Sequence, residues 1–108
     1  MARACDVADY AAVDAAIRAA QAAFGSVYIL INNAGVIAPI SALASVEPQE
    51  WSQMIDINLK GAWIVARHVI PEMIQRRAGV IINNSSIAGL RGMARLSHYA
   101  ASKWGLVG

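Results

Sequence analysis

Cysteine occurs once in this chain, as Cys5, so no internal disulfide can form and no paired thiols mark a redox motif or a zinc site. Aromatic residues are sparse at 6%, and charged residues make up only 15%. Nine Lys and Arg against seven Asp and Glu leave +2, two surplus charges rather than a basic face for a phosphate backbone. No apolar run approaches the roughly 18 residues of a membrane span. The opening residues, Met1-Ala2-Arg3-Ala4-Cys5-Asp6, lack the apolar core of a signal peptide. These absences point to a cytoplasmic protein with neither nucleic acid nor membrane among its partners. What the chain does have is apolar content: 57% of its 108 residues, which excludes intrinsic disorder and suffices for one small domain.

Asp9 suits an N-cap ahead of an Ala-rich segment in which Val13, Ile17, Ala20 and Phe24 recur at helical spacing. Gly25 follows where a left-handed residue is expected, so residues 10–24 read as an amphipathic helix. Val27 to Ile31 is a continuous apolar run stopped by Asn32-Asn33-Ala34-Gly35, which suits a strand covered on both faces. After a loop with Pro39 and Pro48, residues Trp51, Ile55, Asn58, Ala62, Ala66, Val69 and Met73 recur at helical steps, with Pro71 expected to kink or interrupt the helix. Arg76 and Arg77 suit its C-terminus. Gly79 precedes a second buried-strand candidate, Val80-Ile81-Ile82, which ends at Asn83-Asn84-Ser85-Ser86. A last helix starts near His98 or Tyr99 and is still running at Gly108. The order helix, strand, helix, strand, helix, with long connections, is the pattern of an α/β, doubly wound parallel sheet. Two strands do not make a stable sheet of this kind, so the chain reads as an internal piece of a larger domain.

Three features can carry chemistry. Asn58 interrupts the apolar stripe of the long helix, and a buried carboxamide without partners costs roughly 1–3 kcal/mol. It must hold a hydrogen bond, structural or catalytic. Tyr99 and Lys103 are four residues apart and share a helix face. A Lys cation about 4 Å from a phenol is worth roughly 4 kcal/mol at an effective dielectric of 20, an upper bound of about three pKa units. That would make Tyr99 a general acid or base; taken alone, the pair reads sooner as a surface pair, since chance supplies many of them. Third, Ser85-Ser86 and Asn32 to Gly35 follow the two strands, and open α/β sheets bind ligands at the carboxyl ends of their strands. The same residues also make ordinary strand-ending turns.

Together these residues resemble the short-chain dehydrogenase/reductase family, in its single-domain Rossmann form. Cys5-Asp6-Val7 is similar to the family's turn after its third strand, whose acidic residue contacts the adenine ring. Asn32-Asn33-Ala34-Gly35 resembles the signature after its fourth strand, beside the adenosine ribose. Trp51 to Gly61 resembles the segment with the catalytic Asn, here Asn58. Ile82 to Gly89 resembles the segment with the catalytic Ser. The family places that Ser thirteen positions before its Tyr, which selects Ser86 over Ser85. Tyr99-Ala100-Ala101-Ser102-Lys103 looks like its Tyr-x-x-x-Lys helix.

The resemblance implies an NAD- or NADP-dependent enzyme that interconverts a small-molecule alcohol and a carbonyl by hydride transfer, with no metal. Asn58, Ser86, Tyr99 and Lys103 would be catalytic; Asp6, Val7, Asn33, Ala34, Gly35, Tyr99 and Lys103 would meet the cofactor. Tyr99 would be the proton donor, Ser86 would hold the substrate oxygen, and Lys103 would hold the nicotinamide ribose. Asn58 would bind a water linking Lys103 to solvent. The complete protein would be a homo-oligomer through the long helix bearing Trp63, with Trp63 and Trp104 packed on neighbouring elements or a second subunit. Residues 1–108 then represent the central part of one NAD(P)-binding Rossmann domain. The Gly-rich turn of the first strand, the second-strand residue that separates NAD from NADP, and the substrate-covering loop are not among them, and no activity is expected from these residues alone. Tyr28 stands where the family often has Asp. A catalytically silent dinucleotide-binding regulator and a truncated, non-functional product are the alternatives; the intact Asn, Ser, Tyr and Lys set argues against the first. His98 is expected on the solvent side of its helix start, and His68 has no partner at metal spacing.

Overall fold

The computed structural model describes residues 1–37 and 39–108. Among the described residues, four α-helices and two strands follow one another in the order α1 (Tyr10–Phe24), β1 (Ile29–Asn32), α2 (Pro48–Ile55), α3 (Gly61–Arg76), β2 (Val80–Asn83) and α4 (Ser97–Val107). The Asp9 carboxylate caps α1 by accepting from Ala11 N at 2.9 Å and Ala12 N at 3.1 Å. Gly25 ends the helix at φ 79°, ψ −158°, a positive φ but outside the left-handed helical well. At α2, Pro48 takes the first turn and the Glu47 N–H donates to the Glu50 carboxylate at 3.1 Å.

The two strands pair in parallel, Ile29 opposite Val80 through Asn32 opposite Asn83, so their carboxyl ends lie side by side. Parallel pairing with helical crossovers is the expected α/β arrangement. Helices α1 and α3 cover one face, where Leu30, Val69 and Met73 form the core with Ile17, Val27, Val65 and Ile81 around them. The other face is open: Ile29 and Ile31 are both 61% exposed, Val80 53% and Ile82 49%. This corrects the expectation of strands covered on both sides, because the described helices that contact the sheet lie on the Leu30 side.

The expected long helix is regular on both sides of one irregularity, and that irregularity is not at Pro71. Residues Asp56–Lys60 form a π turn between α2 and α3, and Asn58 sits within it. Pro71 lies inside an unbroken α3. Its missing N–H frees the Arg67 carbonyl on a side of the helix where both residues are exposed, so the carbonyl is open to solvent. Below the sheet, the Arg76 guanidinium donates to Val27 O and, at 2.7 Å, to Ala78 O, bridging the starts of both strands. The Tyr28 ring stacks 4.1 Å from that guanidinium, which accounts for an aromatic at this position.

Candidate active site

Chain geometry gathers polar groups at one end of the sheet. Asn32 Nδ2 donates to Asn83 Oδ1 at 2.9 Å, and Asn84 Nδ2 donates to Asn33 Oδ1 at 2.6 Å. Two amide rungs therefore continue the ladder past the strand ends and hold the two following loops together. Gly35 and Val36 then pass over the π turn. There Asn58, 1% exposed, accepts from Val36 N at 2.7 Å and donates to Val36 O at 2.9 Å. Its amide mimics a neighbouring strand to this stretch of backbone. The same amide nitrogen reaches Ser102 Oγ at 3.2 Å and Met54 Sδ at 3.0 Å.

Helix α4 brings Tyr99 and Lys103 to this place. Lys103 is 6% exposed, and its Nζ donates to Asn84 O at 3.1 Å while lying 5.7 Å from the centre of the Tyr99 ring. Among the described residues that is the ammonium's one hydrogen bond, which leaves two of its three N–H donors unspent. A Cβ built on Gly35 would stand 3.2 Å from Asn58 Oδ1 and 3.6 Å from Lys103 Nζ. Glycine thus leaves a methyl-sized space that both the amide oxygen and the ammonium border. The Tyr99 hydroxyl has no hydrogen bond among the described residues and is partly exposed.

The two serines differ in what their hydroxyls do. Ser85 Oγ donates to Lys103 O at 3.0 Å, so its proton is spent on fixing α4. Ser86 Oγ accepts from Ala88 N at 3.2 Å, capping the short Ile87–Gly89 turn, and its own proton has no acceptor among the described residues. That turn packs directly on α4: a Cβ on Gly89 would lie 2.5 Å from Ser85 Oγ and 2.8 Å from Lys103 O.

Of the residues assigned to cofactor contact, Val7, Asn33 and Ala34 line one cleft of about 150 Å³ together with Gly61. Val7 reaches it by packing on Gly61, where a Cβ would come within 2.7 Å of Val7 Cγ2. Asp6 is exposed beside the cleft and its carboxylate accepts from Ala8 N at 2.9 Å. Gly35 belongs instead to the Asn58 and Lys103 side.

His98 is a correction. It is fully buried, stacked on Trp51 at 6.4 Å, and neither ring nitrogen has a partner among the described residues. The helix begins one residue earlier than expected, at Ser97, and its first turn packs on α2 rather than facing solvent. The His68 ring lies tilted against Tyr10, with centroids 4.6 Å apart, and its Nδ1 is 2.7 Å from Ile64 O. Trp63 and Trp104 are about half exposed, at 55% and 50%. Two contributors escaped the sequence reading. Asn84 acts on Lys103 through its backbone carbonyl, which no side-chain pattern reveals. Ser102 had a signal, since it lies one helical turn after Tyr99 on the side that meets Asn58.

A parallel sheet with helical crossovers and polar groups converging where its strands end is the arrangement of an open α/β protein, a class that binds its ligands at that edge. The comparisons make the class specific: the model of the short chain dehydrogenase family matches residues 1–108, and the chain belongs to that family. It is 39% identical over 103 residues to a 3-oxoacyl-[acyl-carrier-protein] reductase of Staphylococcus aureus, covering 95% of this chain and 42% of that protein. It is also 39% identical to an acetoacetyl-CoA reductase of an Acinetobacter species, covering 95% and 41%. Among solved structures, levodione reductase superposes with a TM-score of 0.92 at 33% identity, over 95% of this chain and 40% of that one. A metagenomic short-chain oxidoreductase in complex with NADP gives 0.92 at 39% identity, over 99% and 48%. The chain spans about two-fifths of the length of the curated relatives it matches.

Proposed function

We propose that this chain carries the catalytic face and part of the cofactor cleft of an NAD- or NADP-dependent oxidoreductase that interconverts a small-molecule alcohol and a carbonyl. One observation carries the reading: a nearly buried Lys103 ammonium sits beside the Tyr99 ring where two parallel strands end. The 108 residues act as the central part of one NAD(P)-binding domain, a reading supported by the share of its relatives' length that the chain spans.

The residues present fit a nicotinamide cofactor. Lys103 has N–H donors left for ribose hydroxyls, and Val7, Asn33 and Ala34 line a cleft on the same edge of the sheet. Gly35 lets backbone approach closely between the two, with Asp6 at the rim. When bound, the cofactor supplies the hydride in reduction and takes it in oxidation. Tyr99 gives its hydroxyl proton to the carbonyl oxygen as charge develops there, and removes it in the reverse direction. Ser86, whose proton is unspent, donates a hydrogen bond to that same oxygen. Lys103 places a positive charge beside the phenolate that Tyr99 becomes. Asn58 fixes the loop at Val36 with both ends of its amide and, across the gap at Gly35, holds a water in reach of Lys103.

The test uses the full-length protein. NADH and NADPH consumption is followed over a panel of carbonyl compounds, and Tyr99→Phe is expected to lower turnover by about 10²–10⁴-fold while retaining cofactor binding. Undiminished turnover in that variant overturns the mechanism. Cofactor binding with no turnover across the panel points instead to the silent, regulatory alternative.

A further inference from the structure

The Ser102 hydroxyl is fully buried and makes two hydrogen bonds that join separate parts of the site. It accepts from Asn58 Nδ2 at 3.2 Å and donates to Tyr99 O at 2.7 Å. That carbonyl is also the one the helical ladder pairs with the Lys103 N–H. A single oxygen thus collects the backbone of Tyr99, the amide of Lys103 and the hydroxyl of Ser102. Through Ser102 it is tied to Asn58, and through Asn58 to both polar groups of Val36.

From this chain of contacts we infer that Ser102 is a positioning residue. Its hydroxyl locks the first turn of α4 to the π turn at Asn58, and so sets where Tyr99 and Lys103 stand relative to the loop after β1. The inference rests on the function proposed above for Tyr99 and Lys103. Geometry gives the brace its direction. The π turn widens the helix where Asn58 enters, which lets a carboxamide reach two elements at once. Only a short side chain with both a donor and an acceptor can stand between that amide and a helix carbonyl. Alanine at 102 would leave one amide N–H on Val36 O and the other with only the Met54 sulfur, a weak acceptor, and would leave the Tyr99 carbonyl with its helical partner alone.

A brace of this kind acts first on the reacting geometry and reaches cofactor binding only through the single ribose contact proposed for Lys103, since the Val7 and Asn33 cleft lies on other elements. In the full-length protein, Ser102→Ala is expected to lower kcat by about tenfold, as misplacement by a fraction of an ångström does. The cofactor KM should change less than about twofold, and the pH profile of kcat should shift because the Tyr99 and Lys103 pair moves. Ser102→Thr keeps the hydroxyl and is expected to retain the wild-type pH profile. Ser102→Cys, close in volume but poor at hydrogen bonding, repeats the test if the alanine variant does not fold. Wild-type kcat and pH profile in a folded Ala or Cys variant, with Tyr99→Phe inactive, overturns the role of Ser102 and leaves the chemistry standing. A fully active Tyr99→Phe removes the underlying reading instead. Loss of folding in both the Ala and Cys variants makes the hydroxyl structural and overturns the inference as well.

Discussion

Gly35 decides more at the site than its size suggests. Asn58 Oδ1 and Lys103 Nζ flank the position its side chain would occupy, at 3.2 and 3.6 Å, and its backbone shows no positive φ that would bar alanine. Gly35→Ala is therefore expected to fold, with a melting temperature within a few degrees of wild type, while its methyl group would fill the place we propose for a water linking Lys103 to solvent. Turnover measured by cofactor oxidation should fall about tenfold or more, the scale of general acid–base contributions. Wild-type turnover in this variant would remove the relay. Single residues were legible in the sequence where side-chain spacing carried them. Asn58 stood out as a carboxamide on an apolar stripe, and Tyr99 with Lys103 as a one-turn pair. Asn84 was not legible because it contributes a carbonyl, and His98 was misjudged because its exposure turned on a one-residue difference in where α4 starts.

Elements were legible to within two residues wherever local chemistry defined them. The Asp9 cap and the apolar period placed α1, and the Asn-rich stops placed the strand ends. What escaped was the response of the long helix to its own residues, a π turn at Asn58 and an unbroken passage through Pro71, because both depend on which side is buried. Contact between elements sets the next expectation. The Ile87–Gly89 turn, which carries Ser86 at its cap, can lie on α4 only because residue 89 has no Cβ: one built there meets a backbone oxygen of Lys103 at 2.8 Å and Ser85 Oγ at 2.5 Å. Backbone cannot step aside as a flexible side chain can. Gly89→Ala should cost about 1–3 kcal/mol of stability, the range for overpacking a close contact, and should lower kcat by moving Ser86 away from Tyr99. Denaturant unfolding and kinetics on the same variant check both, and a variant with wild-type stability would show that the turn does not rest on the helix.

At the scale of the whole molecule the chain is elongated, about 46 × 24 × 20 Å. Its radius of gyration is 15.3 Å, against about 13 Å for a compact domain of this length, and one face of the sheet carries uncovered Ile29, Ile31, Val80 and Ile82. The covered side must then supply the cohesion, and a polar tie supplements its apolar contacts. The Glu72 carboxylate on α3 accepts from Ser26 Oγ at 2.9 Å and Gln21 Nε2 at 3.1 Å, joining α3 to the end of α1 and the turn that leads into β1. The Ser26 hydrogen bond, aided by those from Gln21 and the Val27 backbone and by the Arg76 charge, holds its pKa below the usual glutamate value. A carboxylate whose folded pKa is depressed adds stability that is fully present above its unfolded pKa and is lost as pH falls through the folded one. Stability should therefore hold from neutral pH down to about pH 4.3, the ordinary glutamate value, and decline below it. Asp14, lowered chiefly by its hydrogen bond from Arg18, works in the same direction. Glu72→Gln keeps the shape and removes the titration, so its urea midpoint, measured in the full-length protein between pH 6 and pH 3, should fall less steeply with acid than that of the wild type. Parallel curves for the two proteins would mean that the tie at Glu72 does not couple α1 to α3 energetically.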